Sequence, residues 1–150
     1  MPAVSTTHAR KALMRRFTDE VLNRHDSAAL DRFVAEDFVT HTPVPPFGAD
    51  REGFRAWLES IFRAFPDMRW TIEHLLSEDD TVVARARSRG THLGPFLDRA
   101  PTGRPVAIEA IHIVRIVDER VVEHWRHADT LGLLTQIGGA PGDGRGSSAP

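Results

Sequence analysis

The chain is predicted to fold as one α+β domain in which a curved antiparallel sheet closes like a cone over N-terminal helices. Two observations predict this. Apolar residues recur at helical spacing as far as Phe65, and from Met68 onward the period drops to two. The later segments are joined mostly by short connections, so consecutive strands pair with their neighbours. Helices first and strands afterwards define the α+β class.

Taken in order, residues 5–24 place Leu13, Met14, Phe17, Val21 and Leu22 at helical spacing, with a Ser/Thr cluster to cap the start. Residues 23–26 break that helix. Ser27 is positioned to cap a short second helix carrying Leu30, Phe33 and Val34 on one face. The stretch Thr42-Pro43-Val44-Pro45-Pro46-Phe47-Gly48 cannot be regular helix, because prolines remove donors and fix φ. Asp50 caps a third helix with Phe54, Trp57, Leu58, Ile61, Phe62 and Phe65 on one face, and Pro66 ends it. Strands are expected over 68–76, 81–89, 105–117 and 121–129. A turn at 77–80, a Gly/Pro-rich connection at 90–104 and a tight turn at Asp118-Glu119-Arg120 separate them. Residues 131–137 supply a last helical turn. The domain is expected to occupy 1–138, and the Gly/Ser/Pro/Ala-rich stretch 139–150 to be a disordered tail.

Composition narrows the function. With 150 residues, 41% of them hydrophobic, the chain can bury one core but not two. A net charge of −2 without a Lys/Arg block argues against nucleic acid as a partner. The absence of cysteine removes disulfides, thiolate nucleophiles and cysteine-held metal centres, and suits a cytoplasmic protein. No segment approaches the roughly 20 apolar residues of a membrane span. A bent sheet over helices leaves a hollow, which suits a small hydrophobic substrate.

Several segments together resemble a known family. They are Asn23 to Asp26; Phe33 to Phe38 leading to His41; and Gly48 before the helix that ends Ala64-Phe65-Pro66-Asp67. Further along come Gly90-Thr91-His92-Leu93-Gly94, Pro101-Thr102-Gly103-Arg104, and Glu123-His124-Trp125-Arg126-His127-Ala128-Asp129 running into Leu133-Leu134-Thr135-Gln136-Ile137-Gly138. In this order and spacing, over roughly residues 10–138, they resemble the SnoaL-like polyketide and ester cyclases of the nuclear-transport-factor-two-like superfamily. The resemblance implies a cone-shaped fold, a homodimer or higher homo-oligomer, no cofactor, and acid/base chemistry for an intramolecular aldol closure. It implies Asp129 as the catalytic carboxylate and His112 as a catalytic pocket histidine. Two departures stand out: Asp118-Glu119 where the family usually has Asp-Gly, and an arginine-rich segment, Arg85 to Arg89.

Residue by residue, alternation in the last strand groups Glu123, Trp125, His127 and Asp129 against Val122, His124 and Arg126. If Asp129 faces the hollow, Trp125 and His127 accompany it, and lost hydration raises its pKa toward neutrality. Spacing alone leaves open a plain helix-capping role for Asp129; the resemblance favours catalysis. His112, flanked by small and apolar neighbours, reads equally as a core histidine or as a donor to an enolate oxygen. His41 and His92 are candidates for the mouth, as substrate-positioning groups. Phe54 and Trp57 on the covering helix are candidate substrate contacts. Arg85 is the candidate for binding a substrate carboxylate or phenolate, although a solvated strand face explains most of these arginines. His124 and His127 fall on opposite faces of a strand, so no metal site is expected.

Alternatives of two kinds accompany the cyclase. One is a hydrolase, hydratase or hydroxylation-assisting enzyme of the limonene-epoxide-hydrolase type, built from Asp129, Glu109 and Arg85 or Arg87. The other is a non-catalytic ligand-binding module. A ketosteroid isomerase, which shares the superfamily, relies on a tyrosine hydroxyl, and this chain has no tyrosine.

Overall fold

A computed structural model describes residues 3–138; the expected tail at 139–150 lies outside the described residues. Helix α1 (Ala3–Phe17) runs directly into a π-helical turn, Thr18–Asn23. Its apolar stripe, Leu13, Met14 and Phe17 continued by Val21, is buried. A 3₁₀ segment, Ser27–Arg32, follows. Its cap is Asp26, whose carboxylate accepts the Ala28 and Ala29 N–H groups, rather than the expected Ser27, whose hydroxyl donates to Glu59 at 2.8 Å.

The expected second helix stops at Arg32, and strand β1 (Val34–Thr40) begins where it was to continue. Phe33 ends the turn, while Val34, Phe38 and Thr40 are buried from an extended backbone. β1 pairs in parallel with β5, so the sheet is mixed rather than wholly antiparallel. Helix α2 (Arg51–Ala64) matches expectation, with Asp50 accepting the Gly53 N–H at 2.8 Å.

Strands β2 (Arg69–Glu78), β3 (Thr81–Thr91), β4 (Pro105–Val117) and β5 (Arg120–Ala128) form antiparallel neighbours, and helix α3 (Thr130–Gln136) closes the domain. The spatial order is β1-β5-β4-β3-β2. One face of this sheet packs on the helices and the other is open. On β3 the alternation is sharp: Ala84, Ala86 and Ser88 point inward, and Arg85 and Arg87 point outward. Small inward side chains leave space between sheet and helices that larger ones would fill.

The loop after β3 is pinned to the end of α2. Leu93 and Gly94 both donate their N–H to Ala64 O at 3.0 Å. A Cβ on Gly94 would come within 2.2 Å of Arg63 O, so this close approach requires glycine. The same loop buries Phe96 against Trp57 and Phe65. No helix among the described residues is long and apolar enough to cross a membrane.

Candidate active site

Between α2 and the inner sheet face lies a cavity of about 190 Å³. Phe54, Trp57 and Ile61 roof it from α2, and Ala84, Ala86 and Ala110 form part of its floor. Phe54 and Trp57, the candidate substrate contacts on α2, both line this cavity. The wall is mainly hydrocarbon and aromatic. Its titratable side chains are His112 from β4 and His124 and Arg126 from β5, with no Asp or Glu among the described lining residues.

These three groups are neighbours by register, since His112 lies opposite Arg126 and Val114 opposite His124. His112 Nδ1 is 3.0 Å from His124 Nε2, and His124 Nδ1 is 3.0 Å from Thr40 Oγ1 on β1. Each contact shares one hydrogen. If Thr40 accepts from His124, then His124 accepts from His112, and His112 Nε2 is left with a free lone pair. If Thr40 donates, the chain reverses and His112 Nε2 carries a hydrogen. His112 can thus serve as acceptor or donor toward the cavity without a charge on either ring.

Electrostatics keeps both rings neutral. Burial, with a smaller contribution from the Arg126 charge, pushes His112 down to about 4. Burial, followed by His112 and Arg126, holds His124 well below the usual histidine range. Arg126 is itself lowered by burial. Its guanidinium carbon lies 5.8 Å from the centroid of the Trp57 ring.

Other expected site residues are placed elsewhere. Asp129 is exposed, and its carboxylate caps α3 by accepting the Gly132 N–H at 2.8 Å. The desolvated setting expected for it is therefore absent, although the next residue, Thr130, does line the cavity. Trp125 and His127 do not join the lining; Trp125 stacks on His41 with ring centroids 4.6 Å apart. His41 Nε2 also approaches Glu123 Oε2 at 3.4 Å, away from the cavity. His92 is fully buried rather than at the mouth, beside Phe65, with its Nδ1 against Thr102. Arg85 lies on the outer face, 3.5 Å from Glu109, which Arg87 also engages at 3.2 Å. Of the parts named for a two-carboxylate hydrolase, Glu109 and both arginines thus sit together on the outer face, while Asp129 caps α3.

His124, Arg126 and Thr40 were not singled out from sequence. The available signal was parity on β5, where His124 and Arg126 form the face opposite to Trp125 and His127. Choosing the correct face required the register against His112.

A mixed five-stranded sheet folded over helices around an apolar hollow with a few inward polar groups defines the small-molecule-binding α+β class of nuclear-transport-factor-two-like proteins. The sequence profile of the SnoaL-like polyketide cyclases matches residues 12–137, and the chain belongs to that family. Among curated relatives it is similar to the aklanonic acid methyl ester cyclase AcmA of Streptomyces galilaeus, 31% identical over 55% of this chain and 56% of that protein. It is also similar to DnrD of Streptomyces peucetius, with the same catalytic name, 37% identical over 38% of this chain and 39% of that one. The chain thus spans little more than half the length of these relatives at most. Whole-length likeness comes from solved structures. TsrD of Streptomyces laurentii superposes with a TM-score of 0.79 at 30% identity, covering 87% of this chain and 96% of that one. IdmH of Streptomyces antibioticus gives 0.75 at 31%, covering 86% and 98%.

Proposed function

We propose that the protein is a cofactor-independent cyclase that closes a ring in a polyketide-type substrate by an intramolecular aldol reaction. The observation that carries this is the cavity itself: an apolar hollow whose inward polar groups are a neutral histidine pair and one arginine. In the first step His112 Nε2 takes a proton from the carbon next to a carbonyl. The enolate carbon then attacks a second carbonyl of the same molecule, a C–C bond forms, and the new alkoxide recovers the proton from the imidazolium. His124 and Thr40 complete the hydrogen-bond chain that sets which nitrogen of His112 is free. Arg126 anchors an oxygen of the substrate and so holds the reacting carbons near His112. Holding both reacting carbons in one hollow supplies effective molarity. Asp129 stands at the rim beside Thr130, as the carboxylate that a protruding end of the substrate would meet.

Aklanonic acid methyl ester, the substrate in the relatives' names, is the substrate to try. Ring closure is expected with the native chain. His112→Gln should retain binding within a few-fold and lose about 10²–10⁴ in turnover, the usual worth of a general base. Asp129→Asn keeps the helix cap and should lose less. If Asp129→Asn abolishes turnover while His112→Gln leaves it intact, proton transfer belongs to the rim and the assignment to His112 fails.

The hydrolase alternative lacks support from the cavity, where no carboxylate lines the wall among the described residues. Uptake of labelled oxygen from solvent into product would revive it. A purely sequestering module would have no reason to respond to His112→Gln in turnover.

A further inference from the structure

The charge content of the cavity is lopsided. Among the described lining residues the titratable groups are His112, His124 and Arg126, and both histidines are held neutral. The guanidinium is then the one formal charge on the wall. Arg51, Arg55, Arg85, Arg87 and Arg115 each have a carboxylate within 4 Å, whereas Arg126 has none among the described residues. Its companion is the face of Trp57, which attracts a cation but does not neutralise it.

A half-buried cation facing hydrocarbon is costly unless something negative meets it. A planar guanidinium lying over an indole presents its donors in one plane, which matches planar oxygen anions. We propose that the cavity selects a flat, largely apolar molecule carrying one oxyanion, either a carboxylate or an ionised phenol or enol, and seats that oxyanion on Arg126 with its ring system beside Trp57. This deepens the cyclase reading by naming the substrate class of the same cavity, and rests on that reading for treating the ligand as substrate.

The test is a binding series by titration calorimetry, with no turnover involved. The probes are 2-naphthoate, methyl 2-naphthoate, and a nitronaphthol that is ionised at the assay pH. Native protein should bind the anionic probes about tenfold or more tightly than the ester, the equivalent of one charge-assisted hydrogen bond. Preference for naphthoate over the ionised naphthol marks a carboxylate site, and the reverse marks a phenolate or enolate site. Arg126→Gln should bring the acid-to-ester ratio close to one, and Arg126→Lys should restore part of it. Equal affinity of acid and ester in the native protein overturns the proposal, as does a preference that survives Arg126→Gln or a failure of all three probes to bind. If Arg126→Gln does not fold, the native ratio and the lysine variant still decide. Loss of the cyclase reading through His112→Gln would leave this ratio untouched, so the two can fail separately.

Discussion

Asn23 is a residue whose two polar atoms stand in for a strand. β2 is an edge of the sheet, so its outer row of backbone groups lacks a neighbouring strand. Asn23 Oδ1 accepts the Trp70 N–H at 2.7 Å, and Asn23 Nδ2 donates to Trp70 O at 3.0 Å. Two residues on, His25 adopts a left-handed φ of 52°, donates from Nε2 to Met68 O at 2.8 Å, and stacks on Phe62. These contacts tie the end of the first helix to the strand that carries Trp70, a wall of the cavity. Asn23→Ala deletes both bonds and is expected to cost about 2 kcal/mol, since each is worth about 1 kcal/mol net. Asn23→Asp keeps the acceptor, loses the donor, and should cost less. Urea unfolding of the two variants checks this; an alanine variant as stable as the native chain would show that the amide pairing is incidental. From sequence, Asn23 and His25 count as a helix break and as part of a family pattern, because nothing local says that they reach residues some 45 positions away.

At the scale of the element, the β4–β5 hairpin decides the site. Val117 pairs with Arg120 across a two-residue turn in which Asp118 and Glu119 have φ of 50° and 61°. Such a turn fits the twist of a hairpin but favours glycine, and glutamate there carries a Cβ penalty of roughly 1 kcal/mol. Glu119→Gly should therefore raise stability by about 0.5 kcal/mol after the entropy that glycine adds to the unfolded chain. Its melting temperature should rise with ligand binding unchanged, and a lowered melting temperature would refute turn strain. Just beyond the turn, Ile116 pairs with Val121 but Arg115 pairs with Glu123, so Val122 is an extra residue on β5. That bulge explains what was legible and what was not. The strands β2 to β5 and α2 with its Asp50 cap follow from spacing and end signals, and the same spacing puts Phe54 and Trp57 on the apolar face of α2; His112 as a pocket residue follows from the family resemblance instead. Without the bulge, Trp125 would lie opposite His112, and the sequence expectation of Trp125, His127 and Asp129 facing inward would be consistent. One inserted residue shifts the register, and His124 and Arg126 take the inner face instead. β1 was missed for a related reason. Leu30, Phe33 and Val34 satisfy a helical stripe, and only the parallel pairing with β5, a contact distant in sequence, makes Val34 the start of a strand.

For the molecule as a whole, the same burial that makes the histidine pair neutral makes stability depend on pH. His112 goes from an ordinary value near 6.5 when unfolded to about 4 when folded, and His124 is lowered in the same direction. Between those limits the unfolded chain binds more protons than the folded one, so stability rises with pH. The contribution is complete above about 6.5 and is lost as pH falls through about 4. For His112 alone, that span corresponds to about 3 kcal/mol. Carboxylates act mainly in the lower part of this range and below it. Asp67, held low chiefly by the Thr91 hydroxyl, and Glu123, held low chiefly by its bond to Arg115, lose their contribution at more acidic pH. His92, lowered by burial beside Phe65, adds to the histidine window with the same sign. Chemical unfolding between neutral pH and about pH 5 should therefore show a falling midpoint before most carboxylates titrate. His112→Gln retains a hydrogen-bonding group opposite His124 but no longer takes up a proton, so its midpoint should fall less steeply over the same range. Identical slopes for the two proteins would mean that His112 is protonated alike in folded and unfolded chains. The water-poor hollow on which the proposed chemistry depends would then be wrong.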